Sequence, residues 1–275
     1  SKPKPILPRP TTAAPYTVMA WNYHPALGLS NPLSFCYSGR IGVLRMNVAI
    51  IPARGGSKRI PGKNVKAFAG KPMIEYSIMA AAKTGLFDRI IVSTDSEEIA
   101  HVAQEAGAEV PFMRPAHLAD DFTPTDHVLK HALGWLSEQD ARPVEYFCCI
   151  YATAPFIKPE YLLQGFEKVQ GGASAAFSVT TFDFTIFRAV KMDEQGRLDM
   201  IWPEHTMTRS NDLPTAYHDA GQFYWYRTQD YLKAQNAWAL RPSAVVLPRY
   251  LVQDIDHPED WQVAERMMVA MEGRK

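Results

Sequence analysis

A run of cations interleaved with glycine follows directly on an apolar stretch. After Met46 to Ile51 the chain reads Pro52-Ala53-Arg54-Gly55-Gly56-Ser57-Lys58-Arg59-Ile60-Pro61-Gly62-Lys63-Asn64. These residue types suit a polyphosphate. Consecutive glycines let backbone N–H groups converge on an anion, and Ser57 adds a hydroxyl donor. Arg54, Lys58, Arg59 and Lys63 bring charge against phosphate oxygens. The bland alternative is a basic surface turn. The familiar phosphate loops do not fit, because a Walker loop needs a glycine where this chain has Ser57, and no G-x-G-x-x-G occurs.

Near the other end, Gln253-Asp254-Ile255-Asp256 sets two aspartates one residue apart, and on an extended segment both side chains point to one face. Such a pair suits one hard cation. Magnesium takes one or two carboxylates and completes its shell with phosphate oxygens and water. The competing reading is a solvated strand end with Asp256 capping the last helix. A third cluster is His218-Asp219-Ala220-Gly221-Gln222-Phe223-Tyr224-Trp225. Its His-Asp pair suits a general base, yet no G-x-S-x-G nucleophile accompanies it, and a structural histidine beside packed aromatics reads as well. A phosphatase of the haloacid type also uses Asp-x-Asp, but after an early strand, whereas here the pair lies near the C-terminus.

Apolar runs alternating with helical patterns must position these residues, which predicts βαβ units and an α/β fold with a largely parallel sheet flanked by helices. Strands are expected at Met46 to Ile51, Arg89 to Ser93, Glu109 to Phe112, Tyr146 to Tyr151, Ala175 to Thr180, Gln222 to Tyr226 and Ala244 to Leu247. Helices are expected from Pro72 to Ala82, with Gly85 beyond the end, then over Asp126 to Leu136, Pro159 to Val169 and Pro258 to Met271. Asp95 reads either as the cap of a further helix, with Glu98 three residues on, or as a functional strand-end carboxylate. Periodicity fades between Lys191 and Pro214, an excursion from the sheet. In an open α/β sheet ligands bind beyond the carboxyl ends of the strands, where the cationic loop must lie.

Composition narrows the function classes. The 275 residues carry 29 basic and 29 acidic side chains, but residues 1–45 hold five basic and no acidic ones, leaving 24 against 29 in the rest. A mildly acidic body lacks the basic footprint of a nucleic-acid binder, and no apolar stretch is long enough for a membrane span. Residues 1–45 also contain seven prolines, so they are expected to be a poorly ordered extension that neither nucleates a helix nor pairs as a strand. They lack the apolar core of a signal peptide, and the functional domain is expected to occupy 46–275. Cys36, Cys148 and Cys149 fit neither a disulfide framework nor a zinc site. They read as buried reduced thiols of a cytoplasmic protein.

The string ARGGSKRIPGKN closely resembles the signature of the cytidylyltransferases that activate sialic acids and related nonulosonates. The resemblance runs from about Met46 to Met268 and implies a Rossmann-like nucleotidyltransferase fold. It implies that Arg54, Gly55, Ser57, Lys58, Lys63 and Asn64 bind CTP, and that Arg114 and Thr125 contact the nucleotide from a region that closes over it. It further implies that Asp254 and Asp256 hold Mg2+, that Arg54, Lys58 and Asp256 carry the chemistry, and that Lys191 to Pro214 is a dimerisation insertion of a homodimer. Arg209, His218, Gln222 and Tyr224 would then lie beside the acidic nine-carbon sugar. Sialic acid enzymes carry a Q-P-T-S-P type motif after the central strand, where this chain has Tyr151-Ala152-Thr153-Ala154-Pro155. A phenol at Tyr151 in place of the glutamine, with Thr153 kept in the segment facing the sugar, changes which groups of the sugar can be satisfied, and Tyr151 to Pro155, Arg209 to Leu213 and His218 to Trp225 together look like the pseudaminic acid branch of the family.

The expected reaction is an in-line attack of the sugar's anomeric hydroxyl on the α-phosphorus of CTP, releasing pyrophosphate. Neuraminate, legionaminate or deoxy-octulosonate are the alternative sugars, and a nucleotide-binding protein without turnover is the alternative class.

Overall fold

The computed structural model describes residues 36–37, 40–41 and 44–273. The chain divides into two compact units, Ser1–Gly42 and Val43–Lys275. In the first, Cys36–Tyr37 pairs antiparallel with Arg40–Ile41, a small departure from the expectation that this segment forms no strand. The rest of that expectation, and the side chain of Cys36, lie outside the described residues.

The second unit is built on a six-stranded sheet of β1 (Met46–Pro52), β2 (Arg89–Ser93), β3 (Val144–Ile150), β4 (Ala175–Thr181), β5 (Tyr217–Arg227) and β6 (Ser243–Val246). In space the order is β6-β4-β5-β3-β1-β2. Strands β1, β2 and β3 pair in parallel, as do β4 and β6, while β5 alone runs against both its neighbours. Alternation along each strand divides the core into two layers. On one face Ala49, Ile51, Cys148, Ile150, Phe223 and Trp225 pack beneath helices α1 (Met73–Thr84), α2 (Glu97–Glu105) and α4 (Pro159–Gln170). On the other, Met46, Val48, Ile50, Phe147, Cys149 and Tyr224 meet α3 (Thr125–Gln139) through Leu129, Ala132, Leu133 and Leu136. Cys148 and Cys149 thus face opposite layers as buried free thiols, and burial pushes both thiols' pKa up.

Three local expectations are corrected. Glu109 to Phe112 is no strand: only isolated parallel bridges form, Glu109 with Ile91 and Met113 with Thr94. Pro111 between them has no N–H to continue a ladder. The cap of α2 is Ser96, whose hydroxyl accepts the Ile99 N–H at 3.4 Å, and Asp95 is free for another task. Pro72 precedes α1 instead of opening it, because Lys71–Pro72 pairs with Ala67–Phe68. Gly85 ends α1 with φ 63°, a left-handed turn that glycine adopts without penalty.

The excursion between β4 and β5 forms its own two-stranded antiparallel ribbon, Val190–Met192 with Leu198–Met200, followed by short 3-10 turns. It leaves large apolar side chains in water, with Met192 71% and Met207 91% exposed. The last helix, α5 (Pro258–Glu272), packs Trp261, Ala264 and Met268 onto Ile60, Phe68, Met73 and Ile255 in a third, smaller core. That cluster ties the cationic loop to the segment carrying Asp254 and Asp256. No helix among the described residues is long and apolar enough to cross a membrane.

Candidate active site

Strands β1, β2 and β3 end side by side, and beyond their carboxyl ends lies a cleft of about 750 Å³. Arg54, Ser57, Lys58, Arg59, Lys63 and Asn64 line it from the loop after β1, and Tyr151 and Thr153 from the turn after β3. Arg114, Thr125, Asp121 and Asp256 also line it. Of the residues singled out for a nucleotide, only Gly55 is not on the lining. Its N–H donates to an Asp95 carboxylate oxygen at 2.9 Å, so the twin glycines do not open as an anion nest. Asp95 ties the loop back to β2, and a Cβ at Gly55 would come to 3.1 Å from the Ser96 Cβ. Loop and strand are further joined where the Ala53 N–H meets the Ser93 carbonyl at 2.9 Å.

Helix α1 does not supply the anion site. Its first N–H groups are already paired, Met73 to the Lys66 carbonyl at 3.1 Å and Ile74 to the Asn64 carbonyl at 2.9 Å. The positive charge that faces the cleft comes from side chains. Asn64 is turned inward to donate to the Arg54 carbonyl at 2.9 Å, and Gly62 (φ 62°) makes the bend that aims Lys63 back at the cleft. Two carboxylates hold the four cations apart. Asp121 accepts from Arg54 at 2.5 Å and from Lys58, while Asp256 pairs with Arg59 at 2.9 Å and Lys63 at 3.6 Å. The pairing pulls the Asp121 carboxyl's pKa down, through Lys58 first and then Arg54. Burial lowers the Lys63 pKa, opposed by Asp256 and Asp254. Arg114 is only 6% exposed, and its guanidinium donates to the Ser93 hydroxyl at 3.1 Å and to the Ser93 carbonyl. Burial lowers its pKa too, with Asp95 opposing.

The two aspartates of the C-terminal pair are separated by Ile255, which is 1% exposed in the small core. The segment is not a regular strand, but the burial of Ile255 between them still turns both carboxylates outward, near enough for each to act on Lys63. Among the described residues no three His, Cys, Asp or Glu side chains converge on one point, and of this pair Asp256 lines the cleft whereas Asp254 is not among the lining residues.

The remaining predicted contacts lie elsewhere. His218 lines a separate hollow of about 370 Å³ with Asp183 and Arg249, and its Nδ1 lies 2.9 Å from the Asp219 carbonyl. Gln222 is buried and donates to the Leu251 carbonyl at 2.5 Å. Arg209 sits in the excursion, held by Asp212 at 2.7 Å. Tyr224 packs against Tyr151 with ring centroids 5.2 Å apart and donates its hydroxyl to Asp219. Sequence reasoning passed over Asp121 and the loop-tying role of Asp95. Both partners are carboxylates far along the chain from the groups they hold, and nothing local marks them.

The family model described as Cytidylyltransferase matches residues 48–254, from inside β1 through the other five strands of the sheet to Asp254. The chain belongs to the cytidylyltransferase family. It is therefore a nucleotidyltransferase by descent, as the loop signature implied. This cytidylyltransferase is 42% identical over 220 residues to the pseudaminic acid cytidylyltransferase of Campylobacter jejuni, covering 80% of this chain and 94% of that one. It is 33% identical over 228 residues to the CMP-N,N'-diacetyllegionaminic acid synthase of Legionella pneumophila, covering 80% and 95%. Its fold is shared with a CMP:2-keto-3-deoxy-manno-octonic acid synthetase solved in complex with CTP, at a TM-score of 0.58 and 16% identity over 82% of this chain and 99% of that one.

Proposed function

We infer that this cytidylyltransferase transfers CMP from CTP to pseudaminic acid, releasing pyrophosphate. The observation that carries the reading is a single cleft in which the four cations of the loop after β1 face Tyr151 and Thr153, in a chain 42% identical to a pseudaminic acid cytidylyltransferase. Arg54, Lys58, Arg59 and Lys63 bind the phosphates by exchanging their bonds with Asp121 and Asp256 for bonds with phosphate oxygens. They then stabilise the charge that gathers on those oxygens as the anomeric hydroxyl attacks the α-phosphorus in line. Arg114, held rigidly by Ser93, adds a fixed positive charge on the floor. Tyr151 and Thr153 orient the sugar so that its hydroxyl approaches along the leaving-group axis.

Asp254 and Asp256 fit Mg2+ in number and chemistry, since that ion needs only one or two protein carboxylates beside phosphates and water. When bound, it supplies further positive charge to the phosphates. The excursion's exposed Met192 and Met207 support a homodimer formed through residues 191–214, and the buried free thiols support a cytoplasmic setting. The test is pyrophosphate release from CTP with pseudaminic, legionaminic and N-acetylneuraminic acids and the deoxy-octulosonate offered separately. Preferential turnover of pseudaminic acid is expected. Equal or faster turnover of another sugar rejects the assignment of the sugar, and no release with any of them rejects the activity.

A further inference from the structure

Strand β5 bulges away from β4. Asp219 pairs with Val179 and Tyr224 with Phe177, so residues 220–223 lie opposite Ser178 alone. The Ser178 hydroxyl fills the gap, accepting the Phe223 N–H at 3.1 Å and donating to the Phe223 carbonyl at 3.0 Å. Inside the bulge sits Gln222, which is 4% exposed and is bonded in two directions. Its carbonyl accepts the Tyr151 N–H at 2.9 Å, and its side-chain amide donates to the Leu251 carbonyl at 2.5 Å.

The first partner belongs to the cleft itself. Tyr151 lines it, and the Tyr151 carbonyl is tied to α1 by the buried Ser77 hydroxyl at 2.7 Å. The second partner begins the path to Asp256. From Val252 to Asp256 the chain belongs to no strand or helix, so no ladder fixes where the Asp256 carboxylate stands. Its anchors are Leu251 and Ile255 in the small core, the Asp256 N–H bond to Asp260 at 3.0 Å, and the Gln222 amide on Leu251. A backbone carbonyl only accepts, so the amide NH2 is matched to it, and an apolar side chain at 222 would leave it unpaired.

We propose that Gln222 is a positioning residue that holds the Asp256 carboxylate in register with Tyr151, and so aligns the sugar with the phosphates. The resemblance set Gln222 beside the sugar, but it is not on the cleft lining and its amide is spent on Leu251. It acts through its two neighbours. In-line attack depends on such register, since a displacement of about 1 Å costs on the order of a hundredfold in rate.

The inference rests on the reading of the cleft, with Asp256, as the transfer site. Its test is steady-state pyrophosphate release by the full chain with CTP and pseudaminic acid, beside equilibrium CTP binding, below the Tm of every variant. Gln222→Met keeps the length of the side chain and removes the donor. It is expected to lower kcat by about tenfold or more while leaving the sugar KM and the CTP Kd within about threefold. Because Gln222 acts through Asp256, adding Gln222→Met to Asp256→Asn is expected to lower kcat by no more than about twofold further. The Gln222→Glu carboxyl reproduces the donor only when protonated, so its kcat should exceed that of Gln222→Met, most of all at low pH. An unchanged kcat in Gln222→Met, losses that multiply fully in the double variant, or Gln222→Glu no better than Gln222→Met at any pH overturns the proposal. Should Gln222→Met not fold, Gln222→Glu, alone across pH and combined with Asp256→Asn, decides. An inactive parent, or an Asp256→Asn chain as active as the parent, fails the reading of the site itself. An impaired Asp256→Asn beside indifferent Gln222 variants fails only this proposal.

Discussion

Alanine at Gly165 pits two well-characterised effects against each other. Gly165 lies inside α4, where alanine improves helix propensity by up to about 1 kcal/mol. The added Cβ, however, would lie 2.5 Å from Trp225 Cδ1 and 3.1 Å from both Trp225 Nε1 and Phe223 Cε2. Trp225 has nowhere to retreat. It is fully buried, its indole stacks on Phe87 at 5.1 Å, and its N–H donates to the Leu162 carbonyl at 3.0 Å. Overpacking costs about 1–3 kcal/mol, and pulling the indole N–H off its partner costs about 1–3 kcal/mol more. Set against the helix gain, the net loss is roughly 1–5 kcal/mol. For a domain of this size that lowers Tm by at least about 2 °C and on the order of 10 °C in the middle of the range. Gly134 on α3 is the control, because its Cβ would meet nothing within 4 Å, and Gly134→Ala is expected to raise Tm slightly. Thermal unfolding followed by circular dichroism reads both. A Gly165→Ala chain as stable as the parent would refute the packing argument.

Asp256→Asn is expected to lower turnover much more than it weakens CTP binding; pyrophosphate release equal to the parent's at saturating magnesium rejects the metal assignment. The same change removes a charge that props up the half-buried Lys63 ammonium, so the alkaline loss of activity should move to lower pH, as a pH-rate profile would read. Asp140, held by Arg142, and Asp260, held by the His257 and Asp256 N–H groups, have pKa values below the unfolded carboxylate's. Their stabilisation is complete above the ordinary carboxylate pKa of about 4 and disappears as pH falls through the lowered values, so Tm should hold near neutrality and drop below about pH 4. A Tm unchanged down to about pH 3 would contradict this. Replacing Met192 and Met207 together by glutamate is expected to yield monomers in sedimentation, and a dimer that persists would locate the interface elsewhere.

Much of the frame could be read from residue order, for physical reasons that differ by element. The strand Arg89–Ser93 has the bounds expected of it, because an apolar run between a helix-ending glycine and a capping residue leaves little freedom. The reversed direction of β5 could not be foreseen, since a period of two is the same in both directions, and neither could its bulge, which depends on Ser178 from another strand. Asp95 and Ser96 are both capping residues, and sequence offers no reason to prefer the second. The choice turns on the Gly55 N–H, which needs a partner and finds Asp95. In the cleft, the cations were legible because like charges crowd one short loop. Asp121 was not, because the contact that defines it spans more than sixty residues.

The small core beneath the cleft has a further consequence. Ile60 and Ile255, from opposite ends of the domain, are both clasped by α5 through Trp261 and Met268. The two halves of the phosphate site are thus assembled while the chain folds, and a ligand need not spend binding free energy on gathering them. The arrangement also makes affinity hostage to a terminal helix: fraying of α5 releases both halves at once. Weakening of that helix should therefore appear as lost nucleotide affinity at temperatures where the central sheet is still intact.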